Sequence, residues 1–443
     1  MKIKYLALAL IVFSGPAFGQ TAHEIILKGK VPARVRQTIS VFEYEDFFTR
    51  TRLETQNTII GEDGAFFIKR PLDRPLYLDI VLNKNTTGIY VQPGFVYELV
   101  FDQAGLVTQV VSKDKINAIS KDFDGQRGKL WEAYHDNDTL YIPKLKEFVA
   151  QQSEEIKGYG EFAKTIIGYR LGMIEIFLCL KETPHTNAGM DRLERDLLLN
   201  KPVNYSTPDY FQFLREYSAW RPKVFRRTAY LRNYEKALLY EAQAIPNEVV
   251  SQLAALYMLE NDLQMDRRMP KDRINTITDS LAHAALTPQV RKSAELFLRK
   301  NNALSTGAEI KDFAFDTYQG QSLRLSSFRN KKYVLIDFWF VGCSSCIANF
   351  PSLKQLKEAY PDKIEIVSLT SHDSKDRIAA FLKKRPQFQW LFSPIDTRSE
   401  LLNYFNVVYY PTYYLIGPDG KLVAKLKQTE EEDILKSVGE LIR

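Results

Sequence analysis

Residues 333–351 read YVLIDFWFVGCSSCIANFP, and this stretch decides the fold of the C-terminal part of the chain. Tyr333 to Phe340 form a nearly continuous apolar run, which is typical of a strand buried on both faces. A helical pattern follows from Ser344 to Tyr360. The pair Cys343 and Cys346 therefore lies between a buried strand and the start of a helix.

This placement predicts redox chemistry. A thiol at a helix N-terminus faces free N–H groups and the positive end of the helix dipole, and both lower its pKa. We therefore predict that Cys343, at the exposed end, is the nucleophile. Cys346 lies one turn into the helix, so we expect it to be shielded and to resolve the mixed disulfide.

The spacing of two cysteines three apart also occurs in metal sites and in structural disulfides. A metal site needs two more ligands, and His372 is the only histidine of this part of the chain. A structural disulfide that closes so short a loop stabilises the fold little. We therefore predict a redox-active disulfide, with no metal and no cofactor. Cys179 lies in an apolar helical segment and is predicted to be a buried, inert thiol.

Around the cysteines, from about residue 303 to 443, strands and helices alternate, which predicts an α/β domain. Beyond 333–360 the predicted elements are strands at 364–370, 389–392, 413–416 and 422–426, and helices at 377–384, 399–405 and the C-terminus. Thr429 and Glu432 form a capping box before that last helix.

Several motifs together resemble the thioredoxin superfamily, and in particular its extracytoplasmic TlpA/ResA-like thiol-disulfide oxidoreductases. The resemblance extends over about 140 residues and rests on Val334–Trp339, the cysteine pair, Pro351, Tyr410-Pro411-Thr412, Phe313, Leu325, Phe328 and the Asp419-Gly420 turn. It implies a thioredoxin-like fold for residues 303–443.

The resemblance also implies site roles. Asp337 falls where the family keeps a buried acid beneath the cysteines, which would accept the Cys346 proton; a strand-end cap is the alternative. Pro411 matches the cis-proline that faces the disulfide, and Tyr410 then presents its backbone to a substrate strand. On sequence alone Pro411 could also be an ordinary turn proline. Pro351 matches the kink in the active-site helix.

Two further residues are assigned to the substrate-binding face. Gly342 stands where the family usually has tryptophan, and Trp339 is expected mainly to pack beside the site. The family's glutamate after the second cysteine is Asn349 here, and Ser344-Ser345 lacks the proline or histidine of better-known motifs. These departures leave the redox potential and the choice of partner open.

Residues 1–19 read as a secretory signal peptide. Lys2 and Lys4 precede a short apolar run, and Ala17 and Gly19 stand at −3 and −1 to a cut before Gln20. The alternative, a membrane anchor, needs about 20 apolar residues. No later stretch is apolar enough to span, so a soluble extracytoplasmic, or periplasmic, protein is predicted.

Residues 20–112 carry strand and turn signals that predict an antiparallel β-sandwich. The predicted strands are 24–29, 37–44, 65–69, 76–82 and 95–101. Residues 113–302 change to a helical period, with predicted helices at 142–156, 162–180, 210–220, 226–242, 247–262 and 290–299. Prolines between them, including Pro222 and Pro270, are interpreted as breakers.

The 443 residues carry 60 basic and 54 acidic side chains, a net charge of +6, which gives no sign of a nucleic-acid partner. The leading hypothesis is an enzyme that exchanges disulfides with other exported proteins as a reductant, recharged by a membrane-bound thiol reductant. One alternative is a thiol peroxidase, although Ile336 and Phe340 stand where that motif needs proline and threonine or serine. Another is a non-enzymatic surface-binding or redox-sensing module.

Overall fold

The computed structural model describes residues 23–83, 85–134, 138–181, 188–225, 234–265, 269–396, 399–407, 409–426 and 434–442. The predicted signal peptide and the capping box at Thr429 and Glu432 lie outside these ranges. Within them, no helix has both the length and the apolar character that a bilayer crossing requires.

The N-terminal part is a sandwich of two four-stranded sheets, ordered β4-β1-β7-β8 and β3-β2-β5-β6. Its apolar core includes Leu27, Ile39 and Leu99, which are almost fully buried. All pairings are antiparallel except that of β1 with β7. The strands are β1 Glu24–Lys30, β2 Thr38–Asp46, β3 Thr51–Ile59, β4 Ala65–Pro71, β5 Leu76–Leu82, β6 Asn85–Val91, β7 Val96–Phe101 and β8 Val107–Val111.

Three of these strands, β3, β6 and β8, are absent from the sequence prediction. All three are edge strands, and β3 is largely exposed on both faces. Such strands carry many polar residues, so they lack the apolar alternation that reveals a half-buried strand.

The middle region is helical, as predicted. Its helices are α1 Ile116–Tyr134, α2 Asp138–Glu155, α3 Glu161–Lys181, α4 Ala188–Leu193, α5 Pro208–Phe225, α6 Tyr234–Gln243, α7 Glu248–Met265, α8 Lys271–His283 and α9 Pro288–Ala303, with a π-helical segment at Glu194–Leu199.

Three helices of this region, α1, α4 and α8, are missing from the prediction. Pro222 does not break its helix either, because α5 continues to Phe225. Pro270 instead precedes the first residue of α8, where the missing N–H of a proline costs little. Likewise Thr287 caps the N-terminus of α9 and Pro288 is its first residue.

The C-terminal part is an α/β domain, which confirms the predicted fold class. Its five-stranded sheet has the order β13-β12-β11-β14-β15, with β11, β12 and β13 parallel and β14 and β15 antiparallel to their neighbours. The elements are β9 Ala314–Asp316, β10 Ser322–Arg324, β11 Tyr333–Phe338, α10 Ser344–Ala359, β12 Ile364–Thr370, α11 Lys375–Lys383, β13 Leu391–Pro394, α12 Glu400–Tyr404, β14 Thr412–Ile416, β15 Leu422–Leu426 and α13 Ile434–Leu441. The β9–β10 hairpin is the one described element pair here that the sequence pattern missed.

Alternate residues of β11 face opposite sides of this sheet. Leu335 and Trp339 pack in the cluster that contains both cysteines, whereas Ile336 and Phe338 pack in a second cluster on the other face. The two clusters together place the domain's core on both sides of β11.

The three parts of the chain meet at the loop between β2 and β3. Lys300 of α9 donates to the carbonyl oxygen of Thr49 and to Asn403 Oδ1 of α12. Asn403 Nδ2 in turn donates to the carbonyl oxygen of Arg50 at 2.9 Å. This loop therefore contacts both the helical region and the α/β domain.

Candidate active site

Cys343 and Cys346 form a disulfide at the N-terminus of α10, with an S–S distance of 1.98 Å and a Cα–Cα distance of 5.3 Å. Cys343 is the N-cap of the helix, and the backbone N–H of Cys346 donates to its Sγ at 3.1 Å. The hydroxyl of Ser345 lies 3.4 Å from the same sulfur. These contacts are made by neutral groups.

The two sulfur atoms differ in access in the predicted direction, but by little. Cys343 is 6% exposed and Cys346 is fully buried. Cys343, which is expected at the exposed end of the motif, is therefore nearly covered while the disulfide is formed. Cys343 is nevertheless the more accessible residue of the pair.

Asp337 lies on β11 between Leu335 and Trp339 and shares the face on which α10 packs. It is completely buried, and burial raises its pKa to about 7. The hydroxyl of Ser368 donates to its Oδ2 at 2.6 Å, which partly opposes this rise. Its Oδ1 has no hydrogen-bond partner. A carboxyl group in this state can take up and release a proton near neutral pH.

Polar side chains beneath α10 lie on both sides of Asp337. Ser368 receives a second hydrogen bond from Trp390 Nε1 at 2.8 Å. On the other side, Asp337 is paired in register with Tyr413 of β14, whose hydroxyl accepts from Asn349 Nδ2 at 3.1 Å. Burial, and then the charge of Asp337, raise the pKa of Tyr413. Asn349, which replaces the family's glutamate, thus connects α10 to the strand beside the acid.

The Tyr410–Pro411 peptide bond is cis, as the resemblance implies. The ring of Tyr410 lies 5.4 Å from that of Phe340 and 5.2 Å from that of His372, between centroids. The Phe340 and His372 rings are themselves 5.1 Å apart. Ser371 lies between the polar ends, 3.1 Å from the Tyr410 hydroxyl and 3.2 Å from His372 Nδ1.

Tyr410 is predicted on the substrate-binding face, but the aromatic group that it forms with Phe340 and His372 is not predicted from the sequence. There His372 is considered only as a metal ligand that lacks partners. The three residues come from three different loops of the domain, so no local pattern links them. One sign was present: in parallel strands such as β11 and β12, the loops at the C-terminal ends meet at one edge of the sheet.

Asp373 holds the loop before the cysteines in place. Its Oδ2 accepts from the backbone N–H of Val341 at 2.8 Å and from the Thr370 hydroxyl at 2.9 Å. Arg377 pairs with its Oδ1 at 3.0 Å. This buried carboxylate is also not predicted from the sequence, because its partners lie in three different elements: a loop, the end of β12 and α11.

The two other residues assigned to the substrate-binding face have different positions. Gly342 is exposed next to Cys343, and a Cβ there would come within 3.2 Å of the Phe340 ring. Trp339 is completely buried among Phe350, Phe381 and Phe392. A substrate cannot contact a buried ring, so the assignment of Trp339 to that face is wrong and its packing role is what the structure supports.

No cluster of three or more His, Cys, Asp or Glu side chains suited to a metal ion occurs in the described ranges. Cys179 is buried in α3 and takes no part in a disulfide. A Cβ at Gly189 would come within 2.5 Å of its sulfur, so helices α3 and α4 pack closely there.

Comparisons with known proteins find similar sequences for this part of the chain. A family model described as thioredoxin-like matches residues 330–422. The thiol-disulfide oxidoreductase ResA of Bacillus thuringiensis is 28% identical over 148 residues, which cover 32% of this chain and 83% of that protein. The ResA of Bacillus subtilis is 28% identical over 143 residues, with 32% and 78% coverage. Among solved structures, the thioredoxin domain of a thiol-disulfide oxidoreductase from Bacteroides vulgatus is 26% identical and covers 32% of this chain and 99% of its own, with a TM-score of 0.29.

The residues that the family model matches, 330–422, include the disulfide, the buried acid and the cis-proline. The C-terminal part of the chain is therefore thioredoxin-like and similar to the ResA thiol-disulfide oxidoreductases, which supports a protein-disulfide oxidoreductase.

Proposed function

We propose that this protein is exported and reduces disulfides of other extracytoplasmic proteins, with Cys343 as nucleophile, Cys346 as resolving thiol and Asp337 as proton acceptor. The observation that carries the proposal is the buried Asp337 carboxyl group on the face of β11 that α10 covers. It has one oxygen without a partner and a pKa raised to about 7.

In the first step, the Cys343 thiolate attacks one sulfur of the substrate disulfide. A new S–S bond joins Cys343 to the substrate, and the other substrate sulfur leaves as a thiolate that takes a proton from water. Stabilisation of the attacking thiolate comes from the helix N-terminus and from the Cys346 N–H, which lies 3.1 Å from Cys343 Sγ in the disulfide state.

In the second step, the Cys346 thiol passes its proton to Asp337 and attacks Cys343 Sγ. The bond between Cys343 and the substrate breaks, and the second substrate sulfur leaves as a thiolate that takes a proton from water, while Asp337 releases its proton to water. The substrate has gained two electrons and two protons, and the protein has returned to the disulfide state. A membrane-bound thiol reductant would then restore the dithiol by the same exchange in reverse.

The neutral surroundings of Cys343 support the role of the protein as a reductant. A strongly oxidising pair owes its potential to a well-stabilised reduced form. Here the groups in contact with Cys343 Sγ are the Ser345 hydroxyl and the Cys346 N–H, with no histidine between the cysteines. The thiolate is therefore stabilised less, which favours the disulfide form of the protein and makes its dithiol a reductant.

Substrate docking is assigned to the exposed side of the site. The cis-Pro411 loop offers the backbone of Tyr410 to an extended substrate strand. The aromatic group of Phe340, His372 and Tyr410, beside Gly342, offers an apolar contact next to Cys343. A thiol peroxidase is not favoured, because Ile336 and Phe340 are apolar at the positions where that chemistry needs its own motif residues.

Measurement of the reduction potential of the Cys343–Cys346 pair tests the proposal. A value near −270 mV supports a reductant, whereas a value near −120 mV identifies an oxidant. Turbidity assays of insulin reduction by the reduced full chain provide the activity, with Cys343→Ser as the inactive control. Mass spectrometry of the protein recovered from its native host tests export: a mature chain that begins at Gln20 is expected, and a chain that retains residues 1–19 in the cytoplasm contradicts it.

A further inference from the structure

A large cleft lies where the three parts of the chain meet. Its volume is about 1510 Å³, whereas pockets for small molecules usually measure ~300–1,000 Å³. The sandwich contributes Tyr44 and Arg50, the helical region Arg170 and Arg215, and the α/β domain Glu400 and Asn403. We call it the three-domain cleft. Its size and mixed polar and aromatic wall suit a segment of polypeptide better than a compact cofactor.

Most charged side chains of the cleft already have partners. The ion pairs are Arg52 with Asp79 (2.8 Å), Arg170 with Asp209 (2.9 Å), Arg215 with Glu260 (3.1 Å) and Glu400 with Lys311. Arg50 and Lys129 differ, because their cationic groups form no ion pair or hydrogen bond with any residue that the structure describes, and of the two Arg50 lies where the three parts of the chain meet. Arg50 is thus a free cation inside a concave site.

Arg50 also has cationic neighbours. The positive charge of Arg215 is the main cause, ahead of burial, of a lowered pKa of Arg50. Arg50 and Arg215 both lower the pKa of nearby Lys300 as well. Among the described residues near Arg50, Glu260 is an acidic side chain in an ion pair, and its partner is Arg215. An anion bound beside Arg50 would relieve this repulsion between like charges.

The loop that carries Arg50 is fixed in place. Asp46 Oδ2 accepts from the backbone N–H and the hydroxyl of Thr49, at 2.7 and 2.6 Å, and its Oδ1 accepts from Ser293 of α9 at 2.6 Å. Arg50 itself has a φ of 57°, a left-handed conformation that costs a non-glycine residue free energy. Hydrogen bonds from α9 and α12 to the carbonyl oxygens of Thr49 and Arg50 hold the backbone in this conformation. Strained residues that persist under such constraints are concentrated at ligand sites.

This end of the cleft reaches the α/β domain at α12. Asn403 on α12 contacts Arg50, and the chain leads from α12 to the cis-Pro411 loop. Burial raises the pKa of Tyr410, while the hydrogen bond from Ser371 and the charge of Arg50 oppose this rise, so Arg50 acts on the residue that precedes the cis-proline. The opposite part of the cleft is lined by the edge strands β6 and β8, to which an extended segment can add by backbone hydrogen bonds.

We propose that Arg50, backed by Arg215, binds a carboxylate side chain of an acidic segment in the protein whose disulfide is reduced, and that the three-domain cleft holds this segment beside the redox site. The proposal rests on the proposed function for the identity of the bound protein. The N-terminal and middle parts of the chain would thereby select substrates for the C-terminal part, which performs the exchange.

Binding to the oxidised full chain tests the site without thiol chemistry. The probes are two synthetic peptides with a neutral fluorophore and the same internal disulfide; glutamates flank the disulfide in one, and glutamines replace them in the other. Fluorescence anisotropy should show that the parent protein binds the glutamate peptide more tightly by about tenfold or more, the range for a charge-assisted hydrogen bond. Salt should reduce this preference.

Arg50→Gln should abolish the preference. Arg36→Gln is the matched control, because Arg36 is an exposed arginine of the same sandwich that also has a positive φ, 61°, but does not line the cleft. It should retain the preference. Equal affinity of the parent protein for the two peptides, or an undiminished preference in Arg50→Gln, would overturn the proposal.

A second assay tests the proposed thiol chemistry separately from the binding of the peptides. Reduced parent protein and Arg50→Gln should reduce hydroxyethyl disulfide, a small neutral substrate, at the same rate. Failure of both to reduce it argues against the proposed function but leaves the peptide-binding result standing. A slow Arg50→Gln variant in this assay would mean that Arg50 acts on the redox site itself, and would overturn its assignment to substrate selection.

Discussion

Lys300 Nζ lies 2.5 Å from Asn403 Oδ1, and this contact joins the last helix of the middle region to the thioredoxin-like domain. The same ammonium group donates to the carbonyl oxygens of Asn403, at 3.3 Å, and of Thr49. Three oxygen acceptors match the three N–H donors of a lysine. One side chain thus links all three parts of the chain beside the loop that carries Arg50.

This lysine should make stability depend on pH. Burial lowers the pKa of Lys300 from 10.5 to about 7; the charged groups that act on it are Glu260 and Asp46, which raise the pKa, and Arg50 and Arg215, which lower it. Below about pH 7 the folded and unfolded chains both carry the proton. Between pH 7 and 10.5 only the unfolded chain does, so this group makes the free energy of unfolding rise with pH, by up to about 1.4 kcal/mol per unit.

Urea unfolding of the full chain between pH 7 and 9.5 measures this effect. Lys300→Met should lose this part of the slope relative to the parent protein. Lys28→Met is the control, because Lys28 lies in an exposed ion pair with Glu98 and should keep the slope. Parallel pH profiles for the parent protein and Lys300→Met would contradict the prediction.

Asp337→Asn should slow the second step of exchange. Loss of a positioned general base typically costs about 10²–10⁴ in rate. The amide keeps an acceptor for Ser368 but takes up no proton, so the mixed disulfide with Cys343 should accumulate while the first attack proceeds normally. Stopped-flow reduction of a disulfide substrate, with non-reducing mass spectrometry, measures both steps. A variant that turns over at the parent rate without an intermediate would limit Asp337 to a structural role.

The same substitution should change stability in a defined direction. Because burial raises the pKa of Asp337 from 3.8 to about 7, the folded state holds the proton more tightly, and this group makes stability fall as pH rises from about 4 to 7. Asp337→Asn removes that loss, so its free energy of unfolding relative to the parent protein should increase over this range. Asp312→Asn, at a carboxylate that caps Ser326 and pairs with Arg324, should show no such increase.

Alkylation should distinguish the three cysteines of the reduced protein. Iodoacetamide near neutral pH should modify Cys343 far faster than Cys346 or Cys179, because Cys343 is the N-cap of α10, where the helix N-terminus stabilises its thiolate, whereas Cys346 is fully buried and Cys179 lies within α3. Peptide mapping by mass spectrometry gives the three rates. In urea the rates should converge; equal rates in the folded protein would overturn the assignment of the nucleophile.

The fragment 303–443 should fold alone and reduce small disulfides. Both apolar clusters around β11 consist of residues from this fragment, so its core does not depend on the rest of the chain. The contacts that it loses are polar, such as those of Asn403 with Lys300 and of Lys425 with the carbonyl oxygen of Gln264. Circular dichroism and reduction of hydroxyethyl disulfide test this. An unfolded or inactive fragment would show that the helical region completes the domain.

The sequence by itself determined the thioredoxin-like domain and the position of its disulfide. Local signals were sufficient there: β11 is a buried parallel strand whose apolar run is continuous, and the two cysteines occupy the first turn of the helix that follows. The bounds of β12 and β15 also agree with their sequence patterns. Element type follows from the periodicity of neighbouring residues, which a single sequence displays.

Only the tertiary structure decided which distant side chains meet around that disulfide. The Ser368 hydroxyl on Asp337, the Asp373 anchor of the Val341 loop and the contact of Asn403 with Arg50 join residues far apart in the chain. No periodicity records such pairs, because they depend on strand order in the sheet and on how whole domains pack. The same reason explains why the sequence predicted only a β-sandwich for residues 20–112, whereas the fold places its Arg50 in a cleft with residues of the helical region and of the α/β domain.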